Sequence, residues 1–212
     1  MKERPFLFKA QRVKAILAGH QTQMRMIVKP QPEEASYDPS MRDGVWEWCA
    51  DMDEDEVPNS VGRIPPHGQP GDRLWVRETT CIAPKDWGPR DDSCIPDDEH
   101  CLRHVSYKAD GHSEEAMRDY GLKWTPSIHV PRWASRITLE ITDVRVHRIQ
   151  DISSMDARAE GHPTKPWNEH AKIVHDDAAR DWFMDLWDSI NAKRGYSWDS
   201  NPWVWCYTFK KL

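Results

Sequence analysis

The sequence of 212 residues lacks any apolar run close to the roughly 20 residues that a membrane-spanning helix requires. Its first residues lead directly into a strand pattern, without the apolar core of a secretory signal peptide. Cysteine is scarce, and the odd number of five fits reduced thiols better than a disulfide framework. We therefore expect a cytoplasmic protein with no membrane partner.

Motifs for cofactors and metals are also missing. The chain has no phosphate-binding glycine loop, serine-hydrolase elbow or nucleotide-cofactor fingerprint. Cys94, His100, Cys101 and His104 lie within eleven residues, but their spacing matches no familiar zinc module. We expect neither a metal nor a cofactor.

The formal net charge of -6 argues against a general nucleic-acid coat protein. The charge is unevenly distributed, because residues 1–30 hold seven Lys or Arg against one acid, whereas residues 31–60 hold ten acids against one base. An acidic run such as Asp51 to Glu56 is typical of a solvated surface, although it could also mimic phosphate or guard a site. The basic part of the chain is its beginning.

A hydrophobic content of 38% and 12 tryptophans suffice for one good core, which predicts a single domain over residues 1–212. Strand patterns occur near residues 4–8, 25–29, 73–78, 136–147 and 203–209. Segments rich in Pro, Gly and acids, at about 31–71 and 81–103, are predicted to be insertions. The first contains a short strand candidate at Val45–Trp48, and the second precedes one at His104–Tyr107.

Two features near the end of the chain are sharper. In the strand from Arg136 to Val146 the apolar alternation changes phase, which predicts a bulge near Thr142 and Asp143. A short helix should run from Ser153, its N-cap, to Ala159, and end at Gly161. A longer helix is predicted from an apolar stripe that is typical of core packing, made of Ala179, Trp182, Phe183, Leu186, Trp187 and Ile190.

The segment from Ile16 to Arg25 is the strongest candidate for a site. An amphipathic helix breaks at Gly19, a suitable C-cap, into a polar run before the next strand. Such a turn would expose backbone amides together with Gln21, Thr22 and Arg25, which could grip an anion or a base edge. Spacing alone also permits a capped helix that simply leads into a strand.

This turn resembles the signature turn of the ASCH domains, a PUA-like β-barrel family, and in particular of phage and prophage ASCH proteins. The resemblance continues in three further blocks, at Gly71–Thr79, Pro126–Arg136 and Asn201–Trp205. It implies an α+β fold, a mostly antiparallel barrel with flanking helices and loop insertions. It also implies a phage or prophage accessory protein in the host cytoplasm.

The resemblance further implies a site for hydrolysis of N4-acetylcytidine, formed by a lysine, a threonine and a glutamate. In this chain Gln21 replaces the lysine and Met24 replaces the threonine, whereas Glu160 matches the glutamate. Glutamine does not titrate near neutral pH, and methionine is a poor nucleophile. Any catalysis would therefore depend on Glu160 with a substitute such as Thr22 or His20.

A recognition site would need less. Gln21 can present a donor and an acceptor to a base, Arg25 can hold phosphate, and Glu160 can accept from an exocyclic amine. Gly19 and Thr22 complete the turn. Trp75 could add a stacking wall for a base, or could simply pack beneath the insertion. Arg77 could contact a phosphate, or could pair with Glu78 or Asp72.

We therefore expect a protein that binds RNA or a modified nucleobase or nucleoside. The first alternative is a hydrolase of such a ligand, either an amidohydrolase of N4-acetylcytidine or a ribonuclease. The second alternative is an interaction or morphogenesis factor whose acidic insertions bind a host or phage protein.

Overall fold

A computed structural model describes residues 1–32, 40–42, 45–48, 61–83, 105–119, 121–163 and 176–212. This part of the chain has a mixed α/β structure. Its helices are α1 (Ala10–Leu17), α2 (Glu114–Asp119), α3 (Ser154–Ala159) and α4 (Asp176–Asn191). Its strands are β1 (Glu3–Leu7), β2 (Gln23–Ile27), β3 (Ser40–Arg42), β4 (Val45–Trp48), β5 (Val61–Arg63), β6 (Arg73–Arg77), β7 (Thr80–Ile82), β8 (Val105–Tyr107), β9 (Thr138–Arg148) and β10 (Trp203–Lys211). Among these helices, none has the length and apolar character needed to span a bilayer.

The main sheet contains five strands in the order β1, β6, β9, β10, β2. The pairing of β1 with β6 is parallel, and the other three pairings are antiparallel. All five predicted strands are present, and they are the five strands of this sheet. The sheet is therefore mostly antiparallel, as expected.

Smaller sheets lie in or beside the segments predicted as insertions. Strands β3, β4 and β5 form an antiparallel sheet, of which the sequence pattern indicated only β4. Strand β7 pairs with β8, close to the second predicted insertion. The acidic run from Asp51 to Glu56 and the cysteine and histidine group at 94–104 lie outside the described residues.

The predicted bulge in β9 is present. Asp143 pairs with Thr208, but Ile141 pairs with Phe209, so Thr142 is an extra residue on its strand. The bulge restores the phase of the alternation, because Ile141 and Val144 are both buried although three positions separate them. The apolar residues on either side of Thr142 therefore reach the same core.

Two apolar clusters share the main sheet. In β10, Trp205 and Tyr207 belong to the cluster that also contains Val13 and Ile16 of α1. Val204 belongs instead to the cluster that contains Phe183 of α4. Alternate residues of one strand point to opposite faces of its sheet, so the two clusters lie on opposite faces of the main sheet.

The predicted helices are confirmed. Ser153 caps α3 by accepting a hydrogen bond from the backbone N–H of Asp156 at 3.1 Å. Gly161, with a φ of +99°, follows the end of that helix. In α4 the predicted stripe divides, because Phe183 and Trp187 are buried whereas Leu186 and Ile190 are half-buried and line a surface groove.

Candidate functional site

The turn after α1 has the predicted backbone. Gly19 has a φ of +74° and follows the C-cap residue Ala18. The backbone N–H groups of His20 and Gln21 both donate to the carbonyl oxygen of Ala15, at 2.8 and 3.1 Å. Glycine adopts this left-handed conformation without a side-chain penalty, which lets the chain reverse into β2.

The predicted exposure of this turn is wrong for two of its three named side chains. Thr22 is exposed, but Gln21 and Arg25, taken as whole residues, are only 2% and 6% exposed. The C-terminal end of α3 covers the turn, since Gln21 forms an isolated β-bridge with Glu160, and the N–H of Thr22 donates to the Ala159 carbonyl at 2.9 Å. Met24, which stands where the resembled site has a threonine, is fully buried in the core.

A glycine permits this close approach of α3 to the turn. A Cβ atom added to Gly161 would lie 3.3 Å from Ala15 Cβ and 3.4 Å from Gln21 Cβ. The φ of Gly161 is also one that other residues rarely adopt. Gly161 therefore ends α3 and also makes room for the packing that buries Gln21.

Glu160 lies at the centre of a buried charge network. Its Oε1 atom is 3.0 Å from Nη1 of Arg25, and its Oε2 atom is 3.2 Å from Nη2 of Arg12. The side chains of Glu160 and Arg25 have no exposure, whereas that of Arg12 is 28% exposed. Nη2 of Arg25 also lies 3.4 Å from Asp156. Glu160 contacts both Arg25 and Gln21, so the three predicted residues are brought together.

The electrostatics of this network favour a structural role for its carboxylates. Burial raises the pKa of Glu160, and the positive charges of Arg12 and Arg25 oppose that rise. Burial alone would also raise the pKa of Asp156, but the hydrogen bond from Gln23 and the charge of Arg25 hold it below its usual value. Both oxygens of Glu160 already accept from guanidinium groups, which leaves the carboxylate poorly placed to act as a base.

Trp75 and Arg77 lie elsewhere on the sheet. Strand β6 is separated from β2 by β9 and β10, so these side chains do not join the Glu160 network. The guanidinium carbon of Arg77 is 5.4 Å from the centre of the Trp75 ring, and its Nη2 donates to the backbone carbonyl of Ile128. Glu78, one of the acids considered as a partner of Arg77, pairs with Arg136 at 2.9 Å.

A groove of about 700 Å³ opens beside the network, between β2, α4 and the segment 63–67. Its volume is in the usual range for a ligand site. Its apolar wall consists of Phe6, Leu7, Met26, Ile27, Ile64, Pro66, Phe183, Leu186, Trp187, Ile190 and Trp205, and its polar residues are Arg12, Arg25, Lys29, Arg63, His67, Asn191 and Arg194.

The charge of this lining has one sign. Among the described residues that line the groove, five are Lys or Arg, and none is Asp or Glu. Burial and the nearby charge of Arg4 lower the pKa of His67, so its imidazole is neutral near neutral pH and offers one donor and one acceptor. The groove is therefore suited to a ligand with an anionic part and a flat apolar part.

Only part of this groove was predicted from the sequence. Arg25 was predicted to hold an anion or a base edge, and it lines the groove together with Arg12 and Lys29, which also belong to the basic first 30 residues. His67, Asn191 and Arg194 were missed, since no local pattern distinguishes them from ordinary surface residues. The apolar stripe of α4 was visible in the sequence. Its residues Leu186 and Ile190 are only half-buried and line the groove.

No group of residues suited to a metal ion occurs in the described ranges. Comparisons of the chain with protein-family models, with curated proteins and with solved structures gave no significant match.

Proposed function

We propose that this protein binds RNA or a modified nucleobase or nucleoside in the groove between β2 and α4. The observation that carries the proposal is the lining of that groove, which combines an apolar wall with five Lys or Arg residues and no carboxylate among the described residues. Arg12 and Arg25 are paired with carboxylates behind the lining, whereas Lys29 and Arg194 are exposed. The net charge of the whole chain is -6, so this local excess of cations is not a general property of the surface.

The chemistry of the groove matches that of a nucleotide unit. Nucleobases are flat and stack or pack on apolar and aromatic side chains, whereas phosphates are held by Lys and Arg. His67 lies against Phe6, with ring centres 4.8 Å apart, and both line the groove. A neutral imidazole held by a ring contact can read the donor and acceptor pattern of a base edge.

The family assignment is part of the same proposal. We propose that the chain is an ASCH protein whose main sheet curves into a PUA-like barrel, and that it is of phage or prophage origin. Support for the barrel comes from the five strands at the expected positions and from the bulge in β9, because bulges increase the local bend and twist of a sheet. The phage origin and the cytoplasmic location depend on the resemblance and the sequence alone.

A carboxylate introduced into the groove tests the binding site. Ile190→Glu places a negative charge in the lining, whereas Ser189→Glu places the same charge on the exposed neighbouring residue of α4. We expect Ile190→Glu to weaken binding of a labelled single-stranded RNA by more than about tenfold, because like charges repel across an interface. Ser189→Glu should bind within about twofold of the natural protein.

The measurement is fluorescence anisotropy for RNA and titration calorimetry for nucleosides, with circular dichroism as the check on folding. Equal binding by both variants would place the site outside the groove. Absence of binding to any RNA or nucleoside would contradict the proposal. It would favour the alternative of a protein partner bound by the acidic insertions of this chain, whose acidic run from Asp51 to Glu56 lies outside the described residues.

Hydrolysis of the ligand receives less support from the geometry. Each oxygen of Glu160 already accepts from Arg12 or Arg25, and Met24 is in the core. The candidate nucleophile Thr22 is exposed, whereas the Glu160 side chain is not. We expect no release of cytidine from N4-acetylcytidine above the level of a Glu160→Gln variant, measured by chromatography. Turnover by the natural protein that Glu160→Gln abolishes would show an enzyme.

A further inference from the structure

The two ends of the groove differ in charge. At one end, Arg12 and Arg25 are neutralised by their contacts with Glu160 and Asp156. At the other end, Lys29 and Arg194 are exposed. Neither has an ion-pair partner within the described ranges. The charge of these four side chains is therefore balanced at one end of the groove, which we call the balanced end, and unbalanced at the other, the cationic end.

Contacts on the two sides of the groove show which residues lie at which end. The guanidinium carbon of Arg25 is 5.8 Å from the centre of the Phe183 ring, near the middle of α4. The Nζ atom of Lys29 is 5.5 Å from the centre of the Tyr196 ring, and Tyr196 follows Arg194 by two residues. Lys29 and Arg194 thus lie at the same end.

The separation of the ends follows from regular geometry. From Arg25 to Lys29 the chain rises by about 13 Å if each residue adds about 3.3 Å, as in a strand. From Phe183 to Asn191 the helix rises by about 12 Å at about 1.5 Å per residue. The two lengths agree, so the cationic end begins about 12 Å from the balanced end.

We propose that Lys29 and Arg194 form a phosphate subsite, and that the ligand of the groove is a nucleotide, free or within a strand, rather than a bare nucleoside. The sugar and base extend from this subsite along β2 and α4 towards Arg25. This inference rests on the proposed function, and it adds the chemical class of the ligand and its direction in the groove.

Two cations are needed at this end for a physical reason. The carbonyl groups at the C-terminal end of α4 carry partial negative charge, which opposes an anion. The backbone N–H of Tyr196 donates to the Asn191 carbonyl at 3.3 Å and reduces this effect. Arg194 offsets what remains, and Lys29 approaches from the opposite side of the groove.

Asn191 lies beside this subsite. It lines the groove and is 7% exposed. A carboxamide offers two donors and an acceptor, so it is suited to a ribose hydroxyl or a phosphate oxygen of the ligand.

The test compares each of the four ribonucleoside 5′-monophosphates with its nucleoside by titration calorimetry. In the natural protein we expect the monophosphate to bind at least about tenfold more tightly, a free-energy difference of about 1.4 kcal/mol. This advantage should shrink as salt rises, because the contact is between exposed charges. In a Lys29→Gln, Arg194→Gln double variant the ratio should fall to near one.

The matched control is Lys193→Gln with Lys211→Gln, which removes two exposed cations that do not line the groove. It should keep the natural ratio. Equal affinity of nucleoside and monophosphate for the natural protein would overturn the phosphate subsite while leaving nucleoside binding intact. So would a ratio of monophosphate to nucleoside affinity that stays the same in the Lys29 and Arg194 variant.

Ribose 5-phosphate that binds as tightly as the monophosphates would overturn the direction assigned to the base. If none of these compounds nor RNA binds, the proposed function itself fails.

Discussion

Removal of the Glu160 carboxylate gives a sharp test of the buried network. Glu160→Ala would leave Arg25, whose side chain has no exposure, with Asp156 at 3.4 Å as its remaining carboxylate contact among the described residues. Loss of one partner from a buried ion pair costs about 3–5 kcal/mol, mainly because the other charge stays buried. Since Asp156 remains, we expect the lower end of that range, about 3 kcal/mol.

Such a loss is large against the total stability of a domain, which is about 5–15 kcal/mol. For a chain of this size it corresponds to a decrease in Tm of about 6–12 °C. The assay is urea unfolding followed by tryptophan fluorescence and circular dichroism, at neutral pH, for the natural protein and the variant. Joint replacement, Arg25→Met with Glu160→Leu, should cost less than the sum of the two single replacements.

Glu140→Ala is the matched control. Glu140 pairs with Lys210 at 3.1 Å, but the two side chains are 27% and 59% exposed. An exposed pair of this kind contributes about 0–1 kcal/mol. If Glu160→Ala destabilises the protein no more than Glu140→Ala does, the reasoning about the buried network is refuted.

Three further predictions concern the residues around this network. Met24→Thr should lower the free energy of unfolding by about 2–5 kcal/mol in urea titrations, because Met24 is fully buried, and retained stability would contradict the burial. The pKa of Asp156 is lowered despite its burial, so its stabilising contribution is present above the pKa of the unfolded state and is lost as pH falls below about 4. In urea unfolding, Asp156→Asn should be less stable than the natural protein at pH 7 and should lose less stability than the natural protein between pH 5 and pH 3. Burial raises the pKa of Cys206 to about 11, so iodoacetamide at pH 8 should label this thiol only after unfolding, as peptide mass mapping would show.

The sequence was sufficient for the elements of the main sheet because their signals are local. The phase change in β9 located the bulge at Thr142, and the apolar stripe located α4. The order of the strands in the sheet could not be predicted from such local signals. The parallel pairing of Pro5 with Trp75 joins residues 70 positions apart, and no property of either segment specifies it.

Burial at the turn could not be predicted for the same reason. Five of the six residues 20–25 are polar, and a polar run after a helix is ordinarily solvated. Arg25 is buried because Glu160, 135 positions later, and Phe183 of α4 pack over it. A mutation of Arg25 therefore tests stability before it tests binding, and Lys29 and Arg194 are the better probes of a ligand.

The two replacements in the resembled site are consistent with this arrangement. A lysine at position 21 would bring a third cation to Glu160, whose two oxygens already accept from Arg12 and Arg25. A threonine at position 24 would place a hydroxyl in the apolar core, where Met24 has no exposure, and an unpaired buried hydroxyl is costly. With Gln21 and Met24 in these positions the carboxylate serves to hold α3 against the turn. The exposed cations Lys29 and Arg194 line the neighbouring groove, and this is the physical reason to propose a ligand site there and not at Glu160.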